Sequence, residues 1–323
     1  MSNATCANRT DARTILLDEC LWARQLCWQA RRDCWLPDDI SLQIDRELWA
    51  SGGLSDSEKA FLIEALQLLS AVSLQVERTS VEIYALFDVR ACQQCLLQHA
   101  CDATNHVRLS AYCEEQLGIK LPALVKSNAA TTVHSLLTHL TQDSCFSADL
   151  GQLIITIAAH YLLAGVVVPS IWSLMLEQPE AVKKAPGMRA LFKLVARDLV
   201  CRHELGCNLI NAIKSAYPVA WDEKAQQNLL CAGKQCVETV SAHVLAQKGS
   251  FAADEDALRE QLVCTVDYTF ERLDLTRLFG TRGCPAWMTQ QFQVSGARDA
   301  VEMGHGVVRR SPVKSAVRDQ LGQ

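Results

Sequence analysis

The sequence predicts an all-α protein built as one helical bundle. Apolar residues recur at helical spacing from Asp11 to about Leu275, while no stretch shows the period of two that marks a β-strand and no internal repeat is evident. A chain of 323 residues is long enough for two domains. The continuous helical periodicity favours a single unit instead.

The clearest pattern lies between Gly187 and Asn211 and predicts a long helix with one buried face. A turn at Pro186 leads into this helix, which we expect to end near Pro218. Its apolar positions follow the spacing of three and four residues: Leu191, Leu194, Val195, Leu199, Leu205, Leu209 and Ile210.

Two helices are predicted in the first part of the chain. Residues 11–32 have an amphipathic pattern, with an apolar face made of Ile15, Leu16, Leu21, Trp22, Leu26 and Cys27. A second helix runs from Asp56 to about Phe87. Ser55 as N-cap with Glu58 three residues later forms a capping box that starts it.

The middle of the chain predicts three further helical segments. Arg90–Leu117 forms a helix, and Gly118 after its last apolar residue is suited to the C-cap. A shorter helix follows over Leu121–Leu140. The buried segment Ala148–Glu177 contains the most apolar run, which stops at Pro169 and is too short to span a bilayer.

Two amphipathic helices, roughly 221–247 and 254–274, close the predicted bundle. Residues 1–31 form an N-terminal extension and 32–290 the bundle. From Val294 to Gln323 the chain is polar and contains no aromatic residue, so residues 291–323 are predicted to form a flexible tail.

The charge and composition argue against a nucleic-acid-binding, secreted or membrane protein. The net charge is -5 with scattered basic residues, so no nucleic-acid footprint is present. Met1–Asp11 is polar and has no apolar stretch suited to a signal peptide. We therefore expect a cytoplasmic protein that binds neither nucleic acid nor membrane.

The 15 cysteines are an odd number and mostly fall inside apolar stripes, which favours reduced, packed thiols. Cys92 and Cys95 are the one pair at metal or redox spacing. With no second pair nearby, packing is the favoured role, and a zinc or redox role is the alternative.

Several motifs, in the expected order, resemble the small, radical-generating subunit of class I ribonucleotide reductase. This resemblance covers about residues 32–290. The matching motifs are Trp35-Leu36-Pro37-Asp38, Leu54-Ser55-Asp56-Ser57-Glu58-Lys59, Arg197-Asp198, Leu278-Phe279-Gly280 and Ala286-Trp287-Met288.

The resemblance implies a ferritin-like helical bundle. Members of the family carry a di-iron or manganese/iron centre held by four carboxylates and two histidines from four helices. It also implies a homodimer, a large-subunit partner and a role in deoxyribonucleotide synthesis. In the family, the C-terminal tail docks on the large subunit and carries a tyrosine that this tail lacks.

At the matching positions, however, this chain has lost most of the ligands. One residue-by-residue alignment, which needs a one-residue insertion before the long helix, places the six ligand positions at Val72, Ala103, His106, Ala164, Leu199 and Arg202. Only the histidine survives. The resemblance therefore predicts no di-metal cofactor, because hydrocarbon and a permanent cation replace the carboxylates.

Outside the ligand positions, the chain lacks the family's radical tyrosine but keeps two residues of its outer electron path. The radical tyrosine position is Ser110, and Tyr112 is expected to point elsewhere. Trp35 and Asp198 match the outer electron path of the family. They serve either a retained route or, as we favour, a structural hydrogen bond. Arg202 is one turn from Asp198, which predicts an ion pair between them.

A remodelled mononuclear metal site is the alternative for this core. Asp102, His106 and His160 are the candidate ligands. The other interpretation of these histidines is that they are buried and hydrogen-bonded.

The sequence thus favours a small-subunit homologue without metal or radical chemistry, a pseudoenzyme that acts as a scaffold or binding subunit. Its expected partners are a second copy, a reductase large subunit or an intact small-subunit paralogue. The alternative is an active small subunit with metal-independent or mononuclear-metal radical chemistry.

Overall fold

The computed structural model describes residues 15, 17, 20–122, 157, 180–246 and 255–283. Eight α-helices are assigned within them: α1 (Leu21–Arg32), α2 (Gln43–Ser51), α3 (Asp56–Tyr84), α4 (Arg90–Leu117), α5 (Glu180–Lys184), α6 (Pro186–Ala216), α7 (Glu223–Ala246) and α8 (Glu255–Arg272). Across these ranges the only β pairing is an isolated bridge between Ile15 and Phe87. The predicted all-α class is confirmed.

The two long helices α3 and α4 pack along each other and form the centre of the described bundle. The predicted capping box starts α3, because the Ser55 Oγ accepts a 3.3 Å bond from the Glu58 N–H and the Ser55 N–H donates to the Glu58 carboxylate at 2.7 Å. Helix α4 ends as predicted at Gly118, whose φ of 67° lies in the left-handed region.

Helix α3 is long and apolar enough to cross a membrane by length and composition, and it alone meets that test among the described residues. However, 67% of its most apolar window is buried inside the bundle. Its apolar surface is therefore accounted for by packing in the protein core.

The N-terminal segment differs from the prediction. Helix α1 begins at Leu21, whereas Ile15 is extended and its N–H donates to the carbonyl of Leu86 at 2.6 Å. The buried stripe of α1 consists of Ala23, Cys27 and Ala30, and Leu21 is 62% exposed. The predicted start of this helix is thus wrong, because Ile15 pairs with the distant residue Phe87, which periodicity does not reveal. Of the predicted apolar face, Cys27 is buried and Trp22 and Leu26 pack against the core, whereas Leu21 is exposed.

Short helix α2 secures the start of α6. The buried carboxylate of Asp45 accepts 2.9 Å bonds from the N–H groups of Gly187 and Met188. A Cβ at residue 187 would lie 2.6 Å from the carbonyl oxygen of Ser41, so only glycine allows this close approach. Helix α2 itself was not predicted from the sequence.

Helices α7 and α8 confirm the last two predicted helices to within two residues at each end. The segment after α8 is fixed to it by Asp267, which accepts bonds from the N–H groups of Phe279 and Thr281. The predicted helices Leu121–Leu140 and Ala148–Glu177 lie outside the described residues, apart from isolated positions, as does the predicted tail. The division into domains stays a prediction.

Candidate functional site

The ligand positions predicted from the sequence lie on three helices that meet in the core. Val72 is on α3, Ala103 and His106 are on α4, and Leu199 and Arg202 are on α6; all five are buried. His106 joins the three helices through contacts with Ser73 of α3 and Asp198 of α6. The sixth position, Ala164, lies outside the described residues.

The imidazole of His106 is fully buried between two polar partners. Its Nε2 lies 3.1 Å from Oδ2 of Asp198, and its Nδ1 lies 3.5 Å from Oγ of Ser73. Burial lowers the pKa of His106, even though Asp198 opposes this by favouring the charged form. A neutral ring that carries its proton on Nε2 and donates it to Asp198 satisfies both contacts.

Asp198 is the polar centre of the site. Its Oδ2 accepts a 2.7 Å bond from Nε1 of Trp35, and its Oδ1 forms a 3.1 Å ion pair with Arg197. Burial opposes ionisation of this carboxyl, but the bonds from His106, Arg197 and Trp35 outweigh it and lower the pKa of Asp198. The predicted Trp35–Asp198 hydrogen bond is therefore present, and it holds the N-terminal segment on the bundle.

Arg202 is the largest of the fully buried side chains within the described ranges. The ion pair with Asp198 predicted from helical spacing is wrong, since Asp198 pairs with the adjacent Arg197 instead. The reason is geometric: Arg197 reaches Oδ1 from the same turn while also donating to the backbone carbonyl of Asp33. The positive charge of Arg202 lies close enough to lower the pKa of both His99 and His106.

His99 is a core histidine that sequence reasoning missed. It is fully buried, and neither ring nitrogen has a hydrogen-bond partner in the part of the chain that the structure describes. Burial and nearby Arg202 lower its pKa to about 3, so the ring is neutral. Its position two helical turns before His106 is the signal that could have placed it on the same face.

Asp102 lies on the same helix, one turn before His106, and is also buried. Burial and the negative charge of Asp198 raise its pKa to about 7. The Nε2 of Gln98 donates to its Oδ1 at 3.0 Å. As a candidate metal ligand it is therefore already engaged within its own helix.

At the predicted position of the radical tyrosine, two serine hydroxyl groups are hydrogen-bonded to each other. Ser110 Oγ is hydrogen-bonded to Ser70 Oγ and donates to the carbonyl of Leu66 at 3.3 Å. Tyr112 points away from this place, as predicted, because its hydroxyl donates to the carbonyl of Ile40 at 2.6 Å.

The described residues at the predicted ligand positions do not fit a di-metal centre. Val72, Ala103 and Leu199 offer only hydrocarbon where such a centre needs carboxylates, and a guanidinium stands at the second histidine position. Among the described residues no group of three or more histidine, cysteine, aspartate or glutamate side chains has a geometry suited to a metal. The candidate His160 lies outside them, so the mononuclear site stays a prediction.

Cys92 and Cys95 belong to the packed core. Both thiols are fully buried, and burial raises the pKa of each well above its usual value. The Cys92 thiol is hydrogen-bonded to that of Cys20 at the start of α1. The arrangement fits the packing role.

Comparison with known proteins matches the chain to one family. The sequence profile described as "Ribonucleotide reductase, small chain" matches residues 18–285. A ribonucleoside-diphosphate reductase subunit beta from Chlamydia pneumoniae is 21% identical over 309 residues, which are 91% of this chain and 89% of that protein.

Solved structures agree with the fold. A ribonucleotide reductase R2 subunit from Clostridium botulinum superposes with a TM-score of 0.71 at 13% identity, covering 90% of this chain and 98% of its own. A variant of an R2-like ligand-binding oxidase with a reconstituted Mn/Fe cofactor gives a TM-score of 0.62 at 17% identity, covering 79% and 97%. Both likenesses concern the helical fold.

Proposed function

Because this chain belongs to the ribonucleotide reductase small-chain family, we propose that it is a member that has lost the metal and radical chemistry and acts as a binding subunit. Its role would be to bind other proteins of deoxyribonucleotide synthesis in the cytoplasm, without catalysing a reaction itself. The partners proposed are a second copy of itself, a reductase large subunit or an intact small-subunit paralogue.

The observation that carries this proposal is the chemistry at the ligand positions. Val72, Ala103 and Leu199 are buried hydrocarbon side chains, which have no atom able to coordinate a hard cation. His106, which keeps a ligand-capable ring, uses Nε2 on Asp198 and faces a serine hydroxyl with Nδ1.

Electrostatics support the same conclusion. Four carboxylates around two divalent cations offset most of their charge, and without them each ion would be buried in hydrocarbon at large cost. Arg202 adds a permanent positive charge to this core, and it already influences His99 and His106. A cation bound there would be repelled by it.

The contacts of Trp35, Asp198 and Arg197 support a structural role for these three residues. The segment before α2 is connected to helix α6 by the bond from Trp35 to Asp198 and by the bond from Arg197 to the carbonyl of Asp33. We propose that this connection holds the N-terminal segment on the bundle, so that the chain can still bind a partner without catalysis.

The first test measures metal directly. The purified chain is incubated with Fe(II) or Mn(II) under argon, exposed to air, desalted and analysed for metal content and by electron paramagnetic resonance. An intact small subunit treated in parallel is the positive control. We expect metal at the level of the buffer blank and no organic radical; about one or more bound ions per chain, or a radical signal, would overturn the proposal.

A second test measures binding. The full chain is immobilised and exposed separately to a reductase large subunit and to an intact small subunit, and sedimentation velocity of the free chain gives its own assembly state. The exposed variant Trp28→Ala controls for nonspecific apolar capture. Saturable binding to either protein supports the proposal, whereas a monomer that binds neither contradicts it.

A further inference from the structure

The contact between α1 and α4 contains an unusual number of cysteines. Cys20, Cys27 and Cys34 follow each other at intervals of seven residues in and around α1. Cys20 is hydrogen-bonded to Cys92 of α4, and Cys27 lies close enough to Cys95 to affect its ionisation. Thiols in and next to α1 therefore lie near thiols of α4 at more than one place along this contact.

Four of these thiols are shielded from solvent. Cys20, Cys27, Cys92 and Cys95 are all buried, and burial raises the pKa of Cys92 and Cys95. A buried, protonated thiol is a poor nucleophile, so these four are expected to stay reduced and unreactive.

The third pair is different because it is open to solvent. Cys34 follows the last turn of α1 and Cys101 lies on α4, and both thiols are exposed. Partial burial, and after it the negative charges of Asp102 and Asp198, raise the pKa of the Cys34 thiol, and Cys101 lies near enough to contribute to the same shift. This end of the contact thus combines two accessible thiols from segments far apart in sequence.

Side-chain hydrogen bonds fix the segment around Cys34 against α4 and α6. The Nδ2 of Asn105 donates to the carbonyl of Trp35 at 3.2 Å. Asn105 is one helical turn, about 6 Å, after Cys101 on the same face of α4, and Cys34 directly precedes Trp35. Arg197 fixes the other side by donating to the carbonyl of Asp33.

From this arrangement we propose that Cys34 and Cys101 form a redox-sensitive dithiol that closes to an intramolecular disulfide in the presence of a small-molecule disulfide oxidant. The thiolate of Cys101 attacks one sulfur of the oxidant, releases one thiol and forms a mixed disulfide. The thiolate of Cys34 then attacks the Cys101 sulfur and releases the second thiol. Two protein thiols are oxidised by two electrons, and the oxidant is reduced to two thiols.

The bond would act on the site described above. Because Cys34 precedes Trp35, closure ties the segment that bears the Trp35–Asp198 hydrogen bond covalently to α4. The inference does not depend on the proposed binding role, since it concerns the reactivity of the chain alone.

The experiment uses the full chain at pH 8 with excess oxidised glutathione, followed by alkylation, trypsin digestion without reductant and mass spectrometry. Cleavage at arginine places Cys34 in peptide 33–46, and Cys101 in peptide 91–108 together with Cys92 and Cys95. We expect these two peptides to be linked in most of the oxidised protein, with fragmentation assigning the bond to Cys101. The link should disappear after reduction with dithiothreitol.

Three variants sharpen the result. Cys34→Ser and Cys101→Ser should each abolish the link and leave the remaining cysteine as a stable glutathione adduct. Cys231→Ser, which removes another exposed thiol on α7, should leave the link intact. Circular dichroism confirms that each variant is folded. Wild-type protein that carries glutathione on both cysteines without a link, or a link that persists in Cys101→Ser, would overturn the proposal.

Discussion

Replacing Asp198 with alanine tests the polar centre of the core. The substitution removes the acceptor of the 2.7 Å bond from Trp35 and the 3.1 Å contact with His106, as well as the 3.1 Å ion pair with Arg197. Two buried donors left without an acceptor cost about 1–3 kcal/mol each. Loss of one partner from a buried ion pair costs about 3–5 kcal/mol in other proteins.

These terms overlap, because they describe the same carboxylate, so we expect Asp198→Ala to lower the free energy of unfolding by about 3–5 kcal/mol. Urea denaturation followed by circular dichroism and by tryptophan fluorescence measures it. Asp274→Asn is the matched control: its carboxylate is 88% exposed and pairs with Lys214, so its loss should cost at most about 1 kcal/mol.

The reasoning would be refuted if Asp198→Ala cost no more than the control. That outcome would mean that water reaches the donors of Trp35 and His106, and that the site is not the dry, interlocked core inferred from burial. A loss confined to the slope of the transition, with an unchanged midpoint, would point instead to a change in the unfolded state.

Three further predictions concern the same bundle. Asp102 has a pKa raised to about 7 in the folded state, so the stability contributed by its neutral form is full below about pH 4 and is lost as the pH rises towards 7. Asp102→Asn should therefore reduce the dependence of the unfolding free energy on pH, measured by urea titrations at pH 4.5 to 7.5. An unchanged pH dependence would contradict this prediction. Gly187→Ala should lower the unfolding free energy by about 1–3 kcal/mol, because the new Cβ would lie 2.6 Å from a backbone carbonyl oxygen. Its control is Arg189→Ala, on the exposed side of the same turn, which should change the unfolding free energy by less than about 0.5 kcal/mol. Ser55→Ala should cost about 1 kcal/mol in thermal or urea unfolding through loss of the N-cap of α3, and Ser51→Ala, outside any N-cap, serves as its control.

Elements defined by local chemistry could be predicted from the sequence. The capping box at Ser55 and the glycine after Leu117 fix the ends of α3 and α4 through backbone bonds within a few residues. The 3.6-residue repeat likewise gave α6 and its buried face. In each case the signal and the structure lie in the same short stretch.

Features that depend on distant parts of the chain could not be predicted in this way. Ile15 forms an isolated β-bridge with Phe87, which no local sequence pattern predicts. Arg202 was expected to pair with Asp198 on spacing alone, but the carboxylate is taken by a nearer guanidinium. Helix α2 was missed because it is short and its function, to present Asp45, appears only in three dimensions.

Some features of the candidate site could be predicted from the sequence and others were missed. The Trp35–Asp198 bond and the orientation of Tyr112 followed from the resemblance and are present. His99 was missed, since a single histidine within an apolar stripe carries no motif. The loss of metal ligands could be predicted only because the surrounding motifs gave a register in which to compare residues.

Asp45 has a consequence for the order in which the chain becomes rigid. The first amide groups of the longest described helix find their acceptor on a residue more than 140 positions earlier in the sequence. The hydrogen bonds of that turn can therefore form only when the two distant segments have packed together. We expect its amide hydrogens to exchange slowly with solvent and so to report on complete folding. A protein with this arrangement should melt as one cooperative unit at that end, with little fraying before global unfolding.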